Sequence, residues 1–520
     1  MNLIDFLDRG AMLSPDKVCL AEDTLELSYP SVVSWTHRIA HSLHHAGLEP
    51  QSRIGTLTPN NLWGYLAILG LQRARGIWIP LNGRSSLNDN IAHMKRTQCQ
   101  WLFYLSDYEE QIPAIRAAVP SIQGTICLDR TSIHDESLQD WAASPDSGEF
   151  PPGGIERRND LFRITVSGGT TGTPKAIMQT QAGVECNVAT CLALWHYVEP
   201  PQMLLTRPMT HAAGINSLHV LALGGTIHIM RHTILDEVIQ TIEERRISLV
   251  SLAPTTIYSL IARDDIRQRD FSSLRYLTFG GAPMSAAKLA QAMEIFGPIM
   301  AQGYAQSEAS TLIACMTPGE YQAIANDSSL AHRMRSCGRP TPFSQIEVMS
   351  PDGEILGPDQ RGELVVRSAM VMRGYWGDDS DKDAATREFG WHHTGDIGYK
   401  DADGYLYIVD RLRDVIITGS FNVFPSDVEQ VLWAHPAVKD CAVIGVPDEK
   451  WGEAVKAVVE LKSGTSVTEA ELIALCKQNL GSVKAPKTVE FWETLPRSAV
   501  GKVLKRQVRE RFWAESDRQI

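Results

Sequence analysis

Short apolar runs alternate with stretches of helical periodicity along most of the chain. Ile54–Leu57 reads as a buried strand, Leu62–Ala74 as a helix, and Gly76–Pro80 as a second buried strand. The order repeats as strand Ile247–Ala253, helix Tyr258–Arg263 and strand Leu274–Phe279. Strands alternating with helices predict parallel sheets covered by helices.

The texture changes near Ser344. Gln345–Met349, Gly362–Arg367 and Gly404–Val409 read as short strands parted by Pro-Asp-Gly, Asp-Gln-Arg-Gly and Asp-Ala-Asp-Gly turns, which predicts antiparallel pairing. Beyond Asp410 the pattern predicts helix Asp427–Ala434, strands Val438–Val446 and Ala454–Lys462, and helix Glu469–Asn479. The expected fold is therefore α/β. A large region, 1–410, holds stacked, mostly parallel sheets with helices and a small β-barrel-like part. A boundary at 411–414 joins it to a small α+β domain, 415–520. Ser144–Gly154 and the last few residues are expected to be disordered.

The 520-residue length fits about three units at roughly 150 residues each. With 43% hydrophobic and 21% charged residues the chain can bury large cores without disulfides, which excludes hormone-like or toxin-like scaffolds. A net charge of −12 argues against broad nucleic-acid or anionic-membrane binding. The nine cysteines are scattered without a C-x-x-C pair, as expected of free thiols in a reducing compartment. The first residues carry acids where a signal peptide carries bases, and no run approaches the ~18 apolar residues of a membrane span. A cytoplasmic protein is expected.

The sharpest local feature is Ser167-Gly168-Gly169-Thr170-Thr171-Gly172-Thr173-Pro174-Lys175, after the apolar run Leu161–Val166. Glycines let backbone amides approach an oxyanion, hydroxyls add donors, and Lys175 adds a point charge. The spacing is not that of a Walker loop. A flexible surface turn has the same composition. Gly280-Gly281-Ala282-Pro283 follows a strand and permits close approach to a flat ligand.

The phosphate-loop run resembles that of the adenylate-forming superfamily, which includes acyl-CoA and aryl-CoA synthetases, peptide-synthetase adenylation domains and firefly luciferase. Further motifs follow in the family's order, and the resemblance covers essentially the whole chain. It implies that Ser167, Gly168, Gly169, Thr170, Thr171, Gly172 and Lys175 hold the phosphates of ATP, and that Gly281, Ala282 and Pro283 border the adenine. Gly303-Tyr304-Ala305-Gln306-Ser307-Glu308 is similar to the family's Y-G-x-T-E segment. Tyr304 is then expected to pack on adenine, Ser307 to contact the α-phosphate and Glu308 to help hold Mg²⁺. Ala305 and Ser307 replace the usual glycine and threonine.

Thr394-Gly395-Asp396 matches the family's T-G-D, which gives Asp396 the ribose hydroxyls. The neighbouring His392 and His393 invite a metal reading, but no third ligand stands at sensible spacing. In Asp410-Arg411-Leu412-Arg413-Asp414 the resemblance gives Arg411 a ribose contact and makes Arg413 the hinge position, where relatives commonly carry Asp or Lys. Pro496 to Lys502 matches the loop that delivers the catalytic lysine, Lys502. Its charge stabilises the negative charge that builds during adenylation.

The resemblance implies attack of a carboxylate on MgATP, giving acyl-AMP and pyrophosphate. It also makes 411–414 a hinge and the small domain, 415–520, mobile, so that rotation precedes transfer to an acceptor. Val443 to Asp448 and Trp451-Gly452-Glu453 resemble free-standing acyl-CoA synthetases, so coenzyme A is the default acceptor. Many CoA ligases carry two glycines at the acceptor channel, where this chain has Gly419 and Ser420, followed by Phe421. An amino-acid amine, as in coronafacate-type amide ligases, is the rival acceptor, and a carrier-protein thiol the third. A non-catalytic nucleotide-binding module is the reading from another class, and Lys502, Glu308 and Asp396 weigh against it. The family layout puts the acid pocket near His211, Ala253–Thr256, Gly281 and Gln302–Ala309, with His211 as its gate. Aryl, cyclic aliphatic and medium-chain acids all fit.

Overall fold

The computed structural model describes residues 2–143, 150, 155–166, 175–282, 284–377, 387–419, 421–448, 450–497 and 503–513. Among these, the strands form sheets of nine, seven, five and four strands. The nine-stranded sheet has a parallel centre built from Met300–Tyr304, Tyr276–Gly280, Leu249–Ser251, Gln202–Leu205, Thr226–Ile229 and Val18–Glu22. Antiparallel strands close both of its edges.

The seven-stranded sheet runs parallel from Leu161–Val166 through Ile77–Leu81, Arg53–Leu57 and Trp101–Tyr104 to Gly124–Cys127. Between the two sheets lies Leu62–Arg73, a helix buried on all sides, as its leucine-rich sequence demands. Asn61 starts it by accepting the Gly64 amide at 3.1 Å. The core joins this helix to Met203, Leu205 and Ile227 of one sheet and to Trp78, Phe103 and Phe162 of the other.

Several boundaries differ from the sequence expectation for local reasons. The helix expected at Tyr258 starts at Pro254, and the one expected at Asp427 starts at Pro425. Proline has no amide to leave unpaired in the first helical turn. The strand expected at Gly404–Val409 is Leu406–Arg411, because Asp401 Oδ1 accepts the amides of Asp403 and Tyr405 and makes the preceding residues a turn. The helix expected to end at Asn479 belongs to a helical segment that runs to Lys484 across a kink at Gly481, whose φ is +78°. Ala176–Thr180 returns antiparallel along Leu161–Val166, so the expected phosphate loop connects two strands of a hairpin.

The β-barrel-like part is a four-stranded antiparallel sheet of Ser344–Met349, Gly362–Ser368, His392–Lys400 and Leu406–Arg411. A single helical turn, Leu412–Asp414, leads from it to Ile416–Thr418, the first strand of the five-stranded sheet. That sheet packs against Pro425–Trp433 and Glu469–Lys484 over its own core of Ile416, Val443, Val455 and Leu472. All nine cysteines are free, eight of them buried. Among the described residues no helix is long and apolar enough to cross a membrane.

Candidate active site

A wide cleft opens between the large region and the small domain. The strand ends that line it are those whose carboxyl termini face the same way, the usual place for a ligand in an open α/β sheet. His211, Lys175, Gly281, Ala282, Tyr304, Ser307, Glu308, Asp396, Arg411 and Arg413 all line it, so the structure brings these expected site residues together. Ser167, Gly168, Gly169, Thr170, Thr171, Gly172, Pro283, Ser420 and Lys502 lie outside the described residues.

At one end of the cleft a buried carboxylate organises its neighbours. Asp396 is 4% exposed, and its Oδ2 accepts the Tyr304 hydroxyl and the Gln306 amide, each at 2.7 Å. Its Oδ1 pairs with Arg411 Nε at 3.2 Å across adjacent antiparallel strands, where the two residues are in direct register. Burial, then the Asp396 charge, pushes the Tyr304 phenol well above its ordinary range, so it stays a donor. Gln306 also donates to the Thr394 carbonyl at 2.7 Å, and Glu363 fixes the same turn by accepting the Gly395 amide at 2.7 Å. A carboxylate has about four lone-pair positions, so Oδ1 keeps capacity for another donor.

Beside this network, Tyr375 donates to Glu308 Oε1 at 3.3 Å, and Lys175 Nζ stands 4.7 Å from the centre of the Tyr375 ring. Gln179 fixes the Ser307 carbonyl at 3.0 Å. Gly281 has φ +80°, a conformation open to glycine. It lets the chain turn from strand Tyr276–Gly280 toward helix Ala286–Phe296 at the cleft wall.

At the other end, His211 Nδ1 lies 3.0 Å from the Thr210 hydroxyl. Desolvation by the cleft walls, then the cations Arg163, Arg207 and Arg84, pushes the imidazole down to about 4, which keeps it neutral near pH 7. The turn carrying His211 is tight: a Cβ on Gly214 would stand 2.0 Å from the Met209 carbonyl oxygen. Buried Asn60 braces it by donating to the carbonyls of Leu205, Arg207 and Met230 at 3.2, 3.0 and 3.1 Å and accepting the Met209 amide at 2.8 Å.

The turn at 411–414 sits on the cleft rim. Asp410 accepts the amides of Arg411 and Ser426 at 2.7 and 2.9 Å, tying the end of its strand to helix Pro425–Trp433. In the small domain Lys505 pairs with buried Glu429 at 2.8 Å; burial works against the ammonium, but Glu429 and Asp410 hold it above its ordinary range. Arg497 and Val503, which flank residues 498–502 in the chain, bridge to one another, and both line the cleft. Gly419, with φ +63°, does not line the cleft; a Cβ there would come within 2.9 Å of the Trp451 ring.

Sequence reasoning missed Glu363, Tyr375, Asn60, Arg163 and Arg207, and it placed Gln306 only within the Gln302–Ala309 stretch near the acid pocket without its role on Asp396. Gln306 lies inside a recognised motif and could have been included. The others join the site only through contacts distant in the chain.

Comparison with known proteins bears on this geometry. The profile of the AMP-binding enzyme family matches residues 7–376, and that of the AMP-binding enzyme C-terminal domain matches residues 427–502. A feruloyl-CoA synthase from an Amycolatopsis species is 32% identical over 97% of this chain and 98% of its own. The medium/long-chain-fatty-acid–CoA ligase FadD8 of Mycobacterium tuberculosis is 38% identical over 72% of this chain, a match spanning 64% of that protein. Among solved structures, the amide bond synthetase McbA from Marinactinospora thermotolerans superposes with a TM-score of 0.88 and 28% identity, over 98% of this chain and 100% of that one.

Proposed function

The chain belongs to the AMP-binding enzyme family, and on that premise we propose that it is a ligase that joins a carboxylic acid to AMP at the expense of MgATP and then passes the acyl group to coenzyme A. The single observation that carries this reading is Asp396, buried and already held by Tyr304, Gln306 and Arg411, with acceptor capacity left at the cleft. A fixed carboxylate of this kind suits a pair of ribose hydroxyls and needs no rearrangement when they arrive.

In the first step the acid's carboxylate oxygen attacks the α-phosphorus, forming a C–O–P bond as the bond to pyrophosphate breaks. The chain supplies no nucleophile; it orients the partners and neutralises charge. Ser167 to Gly172 cradle the phosphates, Lys175 adds charge, Ser307 meets the α-phosphate, and Lys502 meets the oxygens on which charge builds. Neutral His211 gates the acid pocket without taking a proton. Glu308 fits a magnesium ion: it is a partly exposed hard oxygen donor at the phosphate end, and the ATP phosphates with water complete such a shell. Magnesium, when bound, neutralises charge on the phosphates.

In the second step the small domain turns about 411–414, with Arg413 exposed at the rim and able to stay solvated throughout. Gly419 then borders the acceptor channel. Transfer to an amine is a second reading, favoured by the Trp451 ring packed over Gly419 and by the likeness to McbA. The free, mostly buried cysteines support a cytoplasmic setting. One acid activated with ATP and offered coenzyme A or an amino-acid mixture in parallel tests the acceptor by mass spectrometry. A thioester without amide is expected, and amide without thioester selects the second reading.

A further inference from the structure

Among the described residues, two arginines at the acid end of the cleft have no carboxylate partner. Arg163 is 4% exposed, on a central strand of the seven-stranded sheet. Its Nε donates to Gln179 Oε1 at 2.5 Å and its Nη1 to the carbonyls of Thr210 and His211 at 3.3 Å, while its guanidinium carbon lies 5.6 Å from the centre of the Trp78 ring. Every one of these contacts is neutral. Arg207 reaches the cleft beside Gly281, its Nη2 being 3.4 Å from where a Cβ would stand. Among the described residues no carboxylate pairs with either guanidinium, and burial alone shifts both downward.

Arg163 is buried and Arg207 half-buried, and removing water from a charge without an opposite charge destabilises a fold by several kcal/mol when burial is complete. Asn60 fixes the backbone that carries Arg207 by gripping the Arg207 carbonyl and the Met209 amide. Arg163 and Arg207 both act on the His211 imidazole, so this part of the cleft is cationic before any ligand arrives.

We propose that the acid this enzyme activates carries a second anionic group, a carboxylate remote from the reacting one, which Arg207 receives while Arg163 adds its field from beneath. Guanidinium matches carboxylate through paired, charge-assisted hydrogen bonds, and a preformed cationic subsite rejects a substrate that leaves it empty. The inference rests on the acid-activating reading above and narrows its substrate to dicarboxylates.

The test measures ATP-dependent pyrophosphate release with matched pairs: hexanoate with adipate, octanoate with suberate, and para-toluate with terephthalate. Within each reacting pair the diacid is expected to have a kcat/KM about tenfold or more above its monoacid. Arg207→Met is expected to lower the diacid value by about 100-fold and to leave the monoacid within about threefold, with the KM for ATP unchanged. Arg207→Lys, which keeps a charge but not the planar fork, is expected to recover part of the diacid preference. Monoacids used as well as diacids, equal losses on both in Arg207→Met, or a diacid preference that survives that substitution would each overturn the second anion while acid activation stands. Wild-type enzyme that releases no pyrophosphate with any acid overturns acid activation and this inference with it.

Discussion

The two ends of the cleft solve opposite electrostatic problems. At the nucleotide end a buried carboxylate, Asp396, has its charge answered by Arg411 and by neutral donors from Tyr304 and Gln306. At the acid end Arg163 is held by two carbonyls, an amide and an aromatic face while Arg207 stands beside Gly281, and among the described residues no carboxylate pairs with either. A satisfied charge gives a rigid acceptor for a ligand that brings donors. An unsatisfied charge gives a site whose missing partner is the ligand itself. The difference teaches that Asp396 is satisfied as folded, whereas a ligand anion would bring Arg163 and Arg207 to electrostatic balance.

The largest expected effect belongs to neither arginine nor carboxylate but to Lys502. Lys502→Ala is expected to lower the initial rate of acid-dependent pyrophosphate release by about 100- to 1000-fold, since a positioned charge aimed at the transition state contributes on that scale. An unchanged rate in a single-turnover assay removes Lys502 from the first step. Asp396→Asn keeps an acceptor for Tyr304 but leaves Arg411 without its charge partner. About a tenfold rise in the KM for ATP is expected, with little change in the diacid-to-monoacid ratio. Combined with Arg207→Met, it is expected to be additive within about 0.5 kcal/mol; strong coupling in a double-mutant cycle would mean that the two ends are one site.

How much of this was legible follows the same division. The nucleotide end is built from contiguous motifs, so Tyr304, Ser307, Glu308, Asp396 and Arg411 could be named from the sequence, and the structure gathers them. The alternation of strands and helices also gave the layered α/β architecture; the errors fell at element boundaries, at helix starts set by Pro254 and Pro425, at the turn before Leu406 and at the kink at Gly481. The acid end was legible only in part: His211 could be named, but Arg163 and Arg207 read as ordinary charges until their surroundings are known, and Asn60 braces a carbonyl 145 positions further along the chain. No local pattern announces a contact of that span.

Two smaller effects probe the supports of each region. Asn60→Ala leaves buried backbone groups around Arg207 without partners and is expected to cost about 2 kcal/mol or more in urea unfolding. It should also blunt the diacid preference; a stable variant with full preference would show that the brace does not set the Arg207 position. Gly419→Ala meets a φ of +63° and the Trp451 ring. A loss of about 1 kcal/mol is expected, with slower acyl transfer and an unchanged rate of pyrophosphate release. Slowing of both steps alike would separate Gly419 from the acceptor channel.

The central claim is that the acid's own oxygen attacks the α-phosphorus at this cleft. An acid labelled with heavy oxygen in its carboxylate, turned over with ATP and coenzyme A, tests it most directly. The account predicts one labelled oxygen in the AMP product and none in pyrophosphate. Unlabelled AMP, or label carried into inorganic phosphate, would contradict it.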